Sequence, residues 1–287
     1  MRPASPDLTA VRTAALLTHG RSERVAHALP RVLALARECG VELVVRREEL
    51  AKHRLDGVRA VDAGQDLDVD LALVLGGDGT TLRALHRFRG SGVASLGVNF
   101  GRVGFLSSMA ERDMDAGLRR AFTGDYEVVS LPTLEADDGR RLSVGVNDIV
   151  LTSSSLGRML ILEWGVSEDE VGRLGCDGAI LATPTGSTAY NLSAGGPVIA
   201  WGADAFVLSF VSPHSLHARS LVLGRNHTVE LRNVSDDVPA TVIVDGHPRG
   251  QLEPGEGIRV SMGADDARLA QLRGTTFFSR YRATFSH

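Results

Sequence analysis

Gly76-Gly77-Asp78-Gly79-Thr80 joins residues suited to holding a phosphate with a carboxylate that a phosphate would repel. The run follows the apolar stretch Leu71-Ala72-Leu73-Val74-Leu75 and precedes Leu82 to Phe88. The order is buried strand, glycine turn, helix start. Glycines let the backbone take positive φ and let a ligand approach closely. The helix N-terminus beyond them offers free N–H groups and a positive dipole end. Asp78 fits such a turn if it holds a hydroxyl, takes its proton, or works with a cation. That combination points to phosphoryl transfer onto an alcohol. The turn is not a Walker-A loop, since no Gly-Lys-Ser/Thr follows, and it lacks the Gly-x-Gly-x-x-Gly dinucleotide pattern. Taken alone, it serves equally as a structural turn.

Two further segments carry polar groups in unusual density. Cys176-Asp177-Gly178 through Thr183-Pro184-Thr185-Gly186-Ser187-Thr188-Ala189-Tyr190-Asn191-Leu192-Ser193 to Pro197 packs hydroxyls, glycines and one tyrosine around a sharp turn. Hydroxyls and exposed amides suit ribose, phosphate and base edges, but composition alone also allows a plain turn between strands. Asn147-Asp148 interrupts the apolar stretch Leu142 to Leu151. It reads either as a bulge or strand end, or as an amide and a carboxylate that bond a substrate.

The elements that must position these groups fall into two patterns. Up to about residue 125, strand-like runs alternate with helical stripes. Ala14–Leu17, Val41–Val45, Leu71–Leu75 and Val93–Val98 are the strands. The first helix is expected from an N-cap at Ser22 to Cys39-Gly40, with a kink at Pro30. Helices at Arg83–Phe88 and around Met114, Leu118, Ala121 and Phe122 follow. Strands separated by helices imply a parallel, Rossmann-like sheet with helices on its faces. Ligands bind beyond the carboxyl ends of such strands, where Gly76–Thr80 and Asn99-Phe100-Gly101-Arg102 both lie. After Tyr126, strand candidates succeed one another without long helices, at 126–131, 141–151, 159–166, 205–212, 227–232, 240–245 and 257–262. The expected division is therefore an α/β domain over 1–125 and an all-β sandwich over 126–275. The aromatic tail, 276–287, returns to the first domain.

Composition narrows the partners. A net charge of −4 gives no sign of a nucleic-acid partner. No apolar run reaches the roughly 18 residues that span a membrane. Met1 to Asp7 has no apolar signal core, and Cys39 and Cys176 fall outside any metal-ligand spacing. The expectation is a cytoplasmic protein with reduced thiols.

The three segments, in this order and spacing, resemble bacterial NAD kinases. Leu96-Gly97-Val98-Asn99-Phe100-Gly101-Arg102-Val103-Gly104-Phe105-Leu106, Pro213-His214-Ser215-Leu216 with Arg219, and Val244-Asp245-Gly246 are also similar to family segments, so the likeness runs from about residue 12 to 285. The resemblance implies an α/β nucleotide-binding domain followed by a β-sandwich. It implies transfer of a phosphoryl group from ATP, or from polyphosphate, to the 2′-hydroxyl of the adenosine ribose of NAD, giving NADP. Magnesium would accompany the donor, and the assembly would be a homodimer or homotetramer. By the same resemblance, Asp78 is the proton acceptor, with Gly79 and Arg83 beside it at the nucleotide. Asn147, Asp148, Arg158, Asp177, Thr188, Ala189, Tyr190, Asn191, Leu192, Ser193 and His247 fall in the dinucleotide-binding positions.

Two positions depart from the family. The usual Asn-Glu pair is here Asn147-Asp148, one methylene shorter, and Gly175 stands where many members carry a basic residue, with Arg173 as a substitute. Lipid and sphingoid kinases share the first motif, and a silent NAD(P)-binding protein would share the pocket. The long motif with Tyr190 argues against a lipid kinase, and retention of Asp78 argues against a silent one. His19 and His86 read as surface or structural residues.

Overall fold

The computed structural model describes residues 10–53, 55–62, 65, 67–101 and 104–285. Arg102 and Val103 of the second sheet-edge segment lie outside these, as do Met1 to Asp7. The chain forms two compact units, Met1–Ser130 with Ala267–His287, and Leu131–Asp266.

In the first unit the chain runs β1 (Thr13–Thr18), α1 (Leu29–Glu38), β2 (Glu42–Arg46), α2 (Arg47–Lys52), β3 (Arg59–Val61) and β4 (Leu71–Leu75). It continues through α3 (Asp78–Arg87), β5 (Ala94–Asn99), β6 (Met109–Ala110), α4 (Met114–Phe122) and β7 (Tyr126–Leu131). The second unit holds β8 (Leu134–Asp137), β9 (Leu142–Gly145), β10 (Asp148–Ser153), β11 (Leu160–Val166), β12 (Asp169–Cys176) and β13 (Gly178–Ala182). A short α5 (Tyr190–Ser193) precedes β14 (Ala205–Val211), β15 (Leu221–Gly224), β16 (Thr228–Asn233), β17 (Ala240–Val244), β18 (His247–Leu252) and β19 (Gly257–Met262). The chain then returns to the first unit with β20 (Ala267–Leu272) and α6 (Phe277–Phe285).

The first sheet has the order β3-β2-β1-β4-β5-β20-β7, with β6 on β5. Strands β1 to β5 pair in parallel. β4 is buried at all five positions, as a strand covered on both faces must be. The order reverses between β1 and β4, so the ligand-binding crevice of a doubly wound sheet is expected beyond their carboxyl ends.

Three expectations need correction here. The stretches 126–131 and 267–272 belong to the first sheet, not to the β-rich unit. Each has a helix on one side only, α4 before the first and α6 after the second, and a run of β-strands on the other. The first helix does not run from Ser22: a single 3-10 turn, Ser22–Arg24, precedes α1, and Ser22 is no N-cap. Pro30 lies in the first turn of α1, where its missing N–H costs nothing, so it starts the helix rather than kinking it.

The second unit is two six-stranded antiparallel sheets, β15-β14-β13-β10-β17-β18 and β12-β11-β16-β19-β8-β9. One core takes Ile149, Leu181 and Phe206 from the first sheet and Leu162, Leu231 and Val260 from the second. This is a sandwich. The expected strand 141–151 is two strands, parted at Val146-Asn147.

No helix among the described residues is long and apolar enough to cross a membrane. Phe206 is fully buried on β14. Replacing it with alanine removes a large core side chain and leaves a cavity, a loss of about 3–5 kcal/mol. Urea unfolding of Phe206→Ala should show a lower midpoint for the β-rich unit with its spectroscopic fold retained.

Candidate functional site

At the carboxyl edge of the first sheet a cavity of about 410 Å³ opens over the glycine turn. Its floor is Gly76, Gly77, Gly79 and Thr80, and Arg83 of α3 stands beside them. His19, Arg21 and Arg24 come from the segment after β1, and Asn99 to Gly101 from the end of β5. The cavity therefore lies at the switch point between β1 and β4. Its three arginines and the α3 N-terminus make it suited to polyanionic phosphates.

The glycines work differently from the expectation. None of Gly76, Gly77 and Gly79 has positive φ. Gly76 is needed for space, since a Cβ there would lie 2.5 Å from the Thr80 hydroxyl oxygen. Gly77 and Gly79 face open room, which leaves the backbone approachable.

Asp78 is the first residue of α3. It is half-buried and does not line the cavity itself. Its carboxylate accepts the Phe105 N–H (2.8 Å) and the Ser107 hydroxyl (3.1 Å). The Asn99 amide in turn donates to Ser107 Oγ at 2.9 Å. A chain of three polar side chains thus runs from the end of β5 to the carboxylate. Only two of its roughly four lone-pair sites are taken by these bonds.

Arg83 is exposed but tied: its guanidinium donates to the Thr18 carbonyl at 3.2 Å. Thr18 is anchored below by a buried cluster, its hydroxyl 2.5 Å from Glu49 Oε2 and 2.9 Å from His53 Nε2. Burial lowers the His53 pKa, which keeps that imidazole neutral.

The second unit gathers a different set. Asp245 and Gly246 both have positive φ, 48° and 78°, and form the two-residue turn between β17 and β18. From this turn the Asp245 carboxylate accepts the N–H groups of Val146 (2.8 Å), Asn147 (2.7 Å) and Asp148 (3.1 Å). The break between β9 and β10 is thereby held open. Against it packs the Thr183–Ser187 loop. Thr183 donates its N–H to the Asn147 carbonyl at 2.9 Å, and a Cβ on Gly186 would lie 2.0 Å from that oxygen. Only glycine permits this approach. Two buried oxygens beside the junction have no hydrogen-bond partner, Asn147 Oδ1 and Thr185 Oγ1. An unsatisfied buried polar atom costs about 1–3 kcal/mol, so such a pair marks a place where a ligand's donors would be welcome.

The other expected residues divide by exposure. Asp177, Tyr190, Ser193, His247 and Arg158 are exposed; Thr188, Ala189 and Leu192 are partly so. His247 Nδ1 lies 2.9 Å from the Asp245 carbonyl, so that nitrogen carries the hydrogen. Arg158 is engaged by the Asp237 carboxylate. Asn191, expected at a dinucleotide-binding position, keeps its side chain inside the protein. It is fully buried, and its amide is used on the Ser187 and Pro197 carbonyls and the Ser209 hydroxyl. It shapes the loop from within. Gly175 faces the Met159 side chain, and Arg173 pairs with Glu163 at 3.8 Å.

Residues that sequence reasoning missed are Arg21, Arg24, Ser107 and Thr185. A signal existed for the first two, since they follow the end of a buried parallel strand. Nothing local singles out Ser107. His19 borders the cavity and accepts the Arg21 N–H through Nδ1 at 2.9 Å, a structural bond.

The model of the ATP-NAD kinase N-terminal domain matches residues 18–126, and that of the C-terminal domain matches residues 146–272. The chain belongs to the ATP-NAD kinase family. Relatives in this family include an NAD kinase of Symbiobacterium thermophilum, 39% identical over 76% of this chain and 79% of its own length. One of Bifidobacterium longum is 32% identical over 96% and 82%. Yeast NADH kinase, solved with NADH, superposes with a TM-score of 0.81 at 23% identity, over 96% of this chain and 86% of that one. An Archaeoglobus fulgidus NAD kinase, solved with ATP, gives 0.69 at 24%, over 96% and 97%. At such identities these two structures establish the shared fold. The ATP-NAD kinase family thus accounts for both units at once, one model falling on each.

Asp148 is 6% exposed. Burial first, and the charge of Asp245 second, push its pKa up from 3.8 to about 7. Between these values the folded chain holds a proton that the unfolded chain has lost. Stability from this group is therefore full below about pH 4 and declines as pH rises to about 7. Asp148→Asn removes the decline. Its unfolding free energy relative to the native chain should rise by on the order of a few kcal/mol from pH 4 to pH 7 and level off above about pH 8, read as a growing difference in thermal midpoint.

Proposed function

We propose that this chain transfers the terminal phosphoryl group of ATP to the 2′-hydroxyl of the adenosine ribose of NAD, with Asp78 as the general base. The observation that carries the reading is the carboxylate of Asp78 at the start of α3, held by two hydrogen bonds beside the glycine-floored, arginine-lined cavity. A ribose hydroxyl is a poor nucleophile at neutral pH. A carboxylate within hydrogen-bond reach takes its proton as the bond to phosphorus forms. The glycine-turn amides with Gly79, and Arg83, Arg21 and Arg24, hold the donor's phosphates. Positioning and charge neutralisation supply most of the remaining acceleration.

In the β-rich unit, Asn147 and Asp148 with Thr188, Ala189, Tyr190, Leu192 and Ser193 receive the dinucleotide. Asp177, Arg158 and His247 contribute from exposed positions. The unpartnered Asn147 Oδ1 and Thr185 Oγ1 accept from ligand hydroxyls or amides. Asp148, with its pKa near 7, accepts from or donates to a ribose hydroxyl.

Among the described residues, no three His, Cys, Asp or Glu side chains gather to hold a metal. A magnesium ion carried by the donor's own phosphates fits such a surface, because Mg²⁺ keeps several waters and needs no protein cage. Bound there, it would neutralise charge on those phosphates. The two free cysteines suit a reducing cytoplasm, and a homo-oligomer is the assembly in keeping with the family.

Asp78→Asn keeps the shape of the side chain and its capacity to accept the Phe105 N–H. It should fold normally, bind NAD, and lose at least about 10²-fold in kcat. Near-native turnover would remove Asp78 from the chemistry. Assay of NAD, NADH and diacylglycerol as acceptors, with labelled ATP or polyphosphate as donors, tests the substrate. Labelled NADP from NAD is expected, and labelled lipid instead would overturn the assignment.

A further inference from the structure

The Gly104–Ser108 segment holds the carboxylate of Asp78, and its two ends are tied in different ways. At Ser108, the hydroxyl donates to the Ala270 carbonyl at 2.5 Å and accepts the Gly97 N–H at 3.1 Å. The Ser108 N–H bonds the Gly97 carbonyl at 2.7 Å. At the Gly104 end the tie comes from α6. Arg280 donates Nη1 to the Gly104 carbonyl at 3.2 Å and Nη2 to the Gln271 side-chain oxygen of β20. Gly104 is itself pressed on the carboxylate, since a Cβ there would lie 2.1 Å from Asp78 Oδ2. The next ring, Phe105, packs on Phe277 and Phe285 of α6, with centroids 5.9 and 5.8 Å away.

We propose that Arg280 is a positioning residue for Asp78, its guanidinium fork bridging Gly104 and Gln271 so that the 104–107 backbone presents its donors to the carboxylate. The proposal rests on Asp78 being the base. Arg280 is 7% exposed, a guanidinium carried into the interior by α6. Such a charge is costly unless it is bonded in good geometry, and a planar fork with two fixed acceptors supplies that. Burial lowers its pKa to about 10, and the charge of Asp78 works against that shift, which marks the two groups as electrostatically coupled. Among the described residues, Arg83, on α3 with Asp78, donates to the Thr18 carbonyl. β5 and residues 104–108 carry no charged side chain.

Arg280→Met keeps much of the stem's packing and removes both the fork and the charge. Arg280→Lys keeps the charge and loses the fork. The Met variant should lose at least tenfold in kcat, with KM for ATP and for NAD within threefold of native. The acid limb of its kcat–pH profile should move to higher pH, because a cation that favours the ionised base has gone. The Lys variant should lose severalfold in kcat with the limb in place. A purely structural role would lower the unfolding midpoint and the amount of active enzyme without moving the limb. Active-site titration separates these two outcomes. A kcat within twofold of native in either folded variant overturns the proposal. Asp78→Asn measured alongside keeps the two claims apart. If that variant stays active, the base assignment fails. If it is dead while the Arg280 variants turn over normally, only the role of Arg280 fails.

Discussion

The fold of the first unit converges on how one carboxylate is held at the start of a helix. Asp78 begins α3 where the dipole favours a negative charge, an effect of about 0.3–1 kcal/mol near a surface. Its bonds from the Phe105 N–H and the Ser107 hydroxyl are hydrogen bonds to a charged acceptor, each about 1.5–3 kcal/mol. The loop, more than the helix, therefore sets where the carboxylate points. That explains why an acidic residue is tolerated beside a phosphate-suited cavity. Its charge is met by two donors of the 104–108 segment, which Asn99 of β5 and Arg280 of α6 in turn hold.

The second unit uses the same device with a different purpose. Asp245, in a turn whose two residues both have positive φ, takes three successive N–H groups from 146–148. These bonds hold the gap at which the chain passes from β9 in one sheet to β10 in the other. The gap lets the Thr183–Ser187 loop close on the Asn147 carbonyl, at a distance only a glycine at 186 allows. Two oxygens are left without partners and one carboxylate titrates near neutrality. The site carries one non-glycine residue at positive φ, Asp245, and unsatisfied atoms, as ligand-binding surfaces commonly do. The more ordinary stability of the unit comes from the shared core between its sheets.

Much of this was legible from residue order. The parallel strands β1, β2, β4 and β5 stand out as apolar runs with helical stripes between them, and their carboxyl ends locate the cavity. The sandwich is visible as closely spaced strand patterns with Asp-Gly and Pro-Gly turns. The strands 126–131 and 267–272 were misplaced because a strand joining a sheet from a distance carries no local mark of which sheet it joins. Pro30 was misread for a related reason: the same residue kinks a helix or starts one, and only the true first turn distinguishes them. Asn191 falls at a binding position by resemblance to the family, while the burial of its side chain is a property of the packed loop that no local pattern shows.

The sequence by itself determined the chemistry available: a glycine turn after a buried strand, one aspartate in it, an Asn-Asp pair, and a hydroxyl-rich loop. These follow from side-chain type and short-range backbone preference, which are local. The tertiary structure decided which groups meet. It brought Ser107 and Phe105 to Asp78, three backbone N–H groups to Asp245, and Arg280 to Gly104 across 176 residues of chain. Such pairings are fixed by the burial of whole elements. A hydrogen bond worth about 1 kcal/mol cannot by itself close a loop of that length, and it forms because the sheet and helices have already placed its partners.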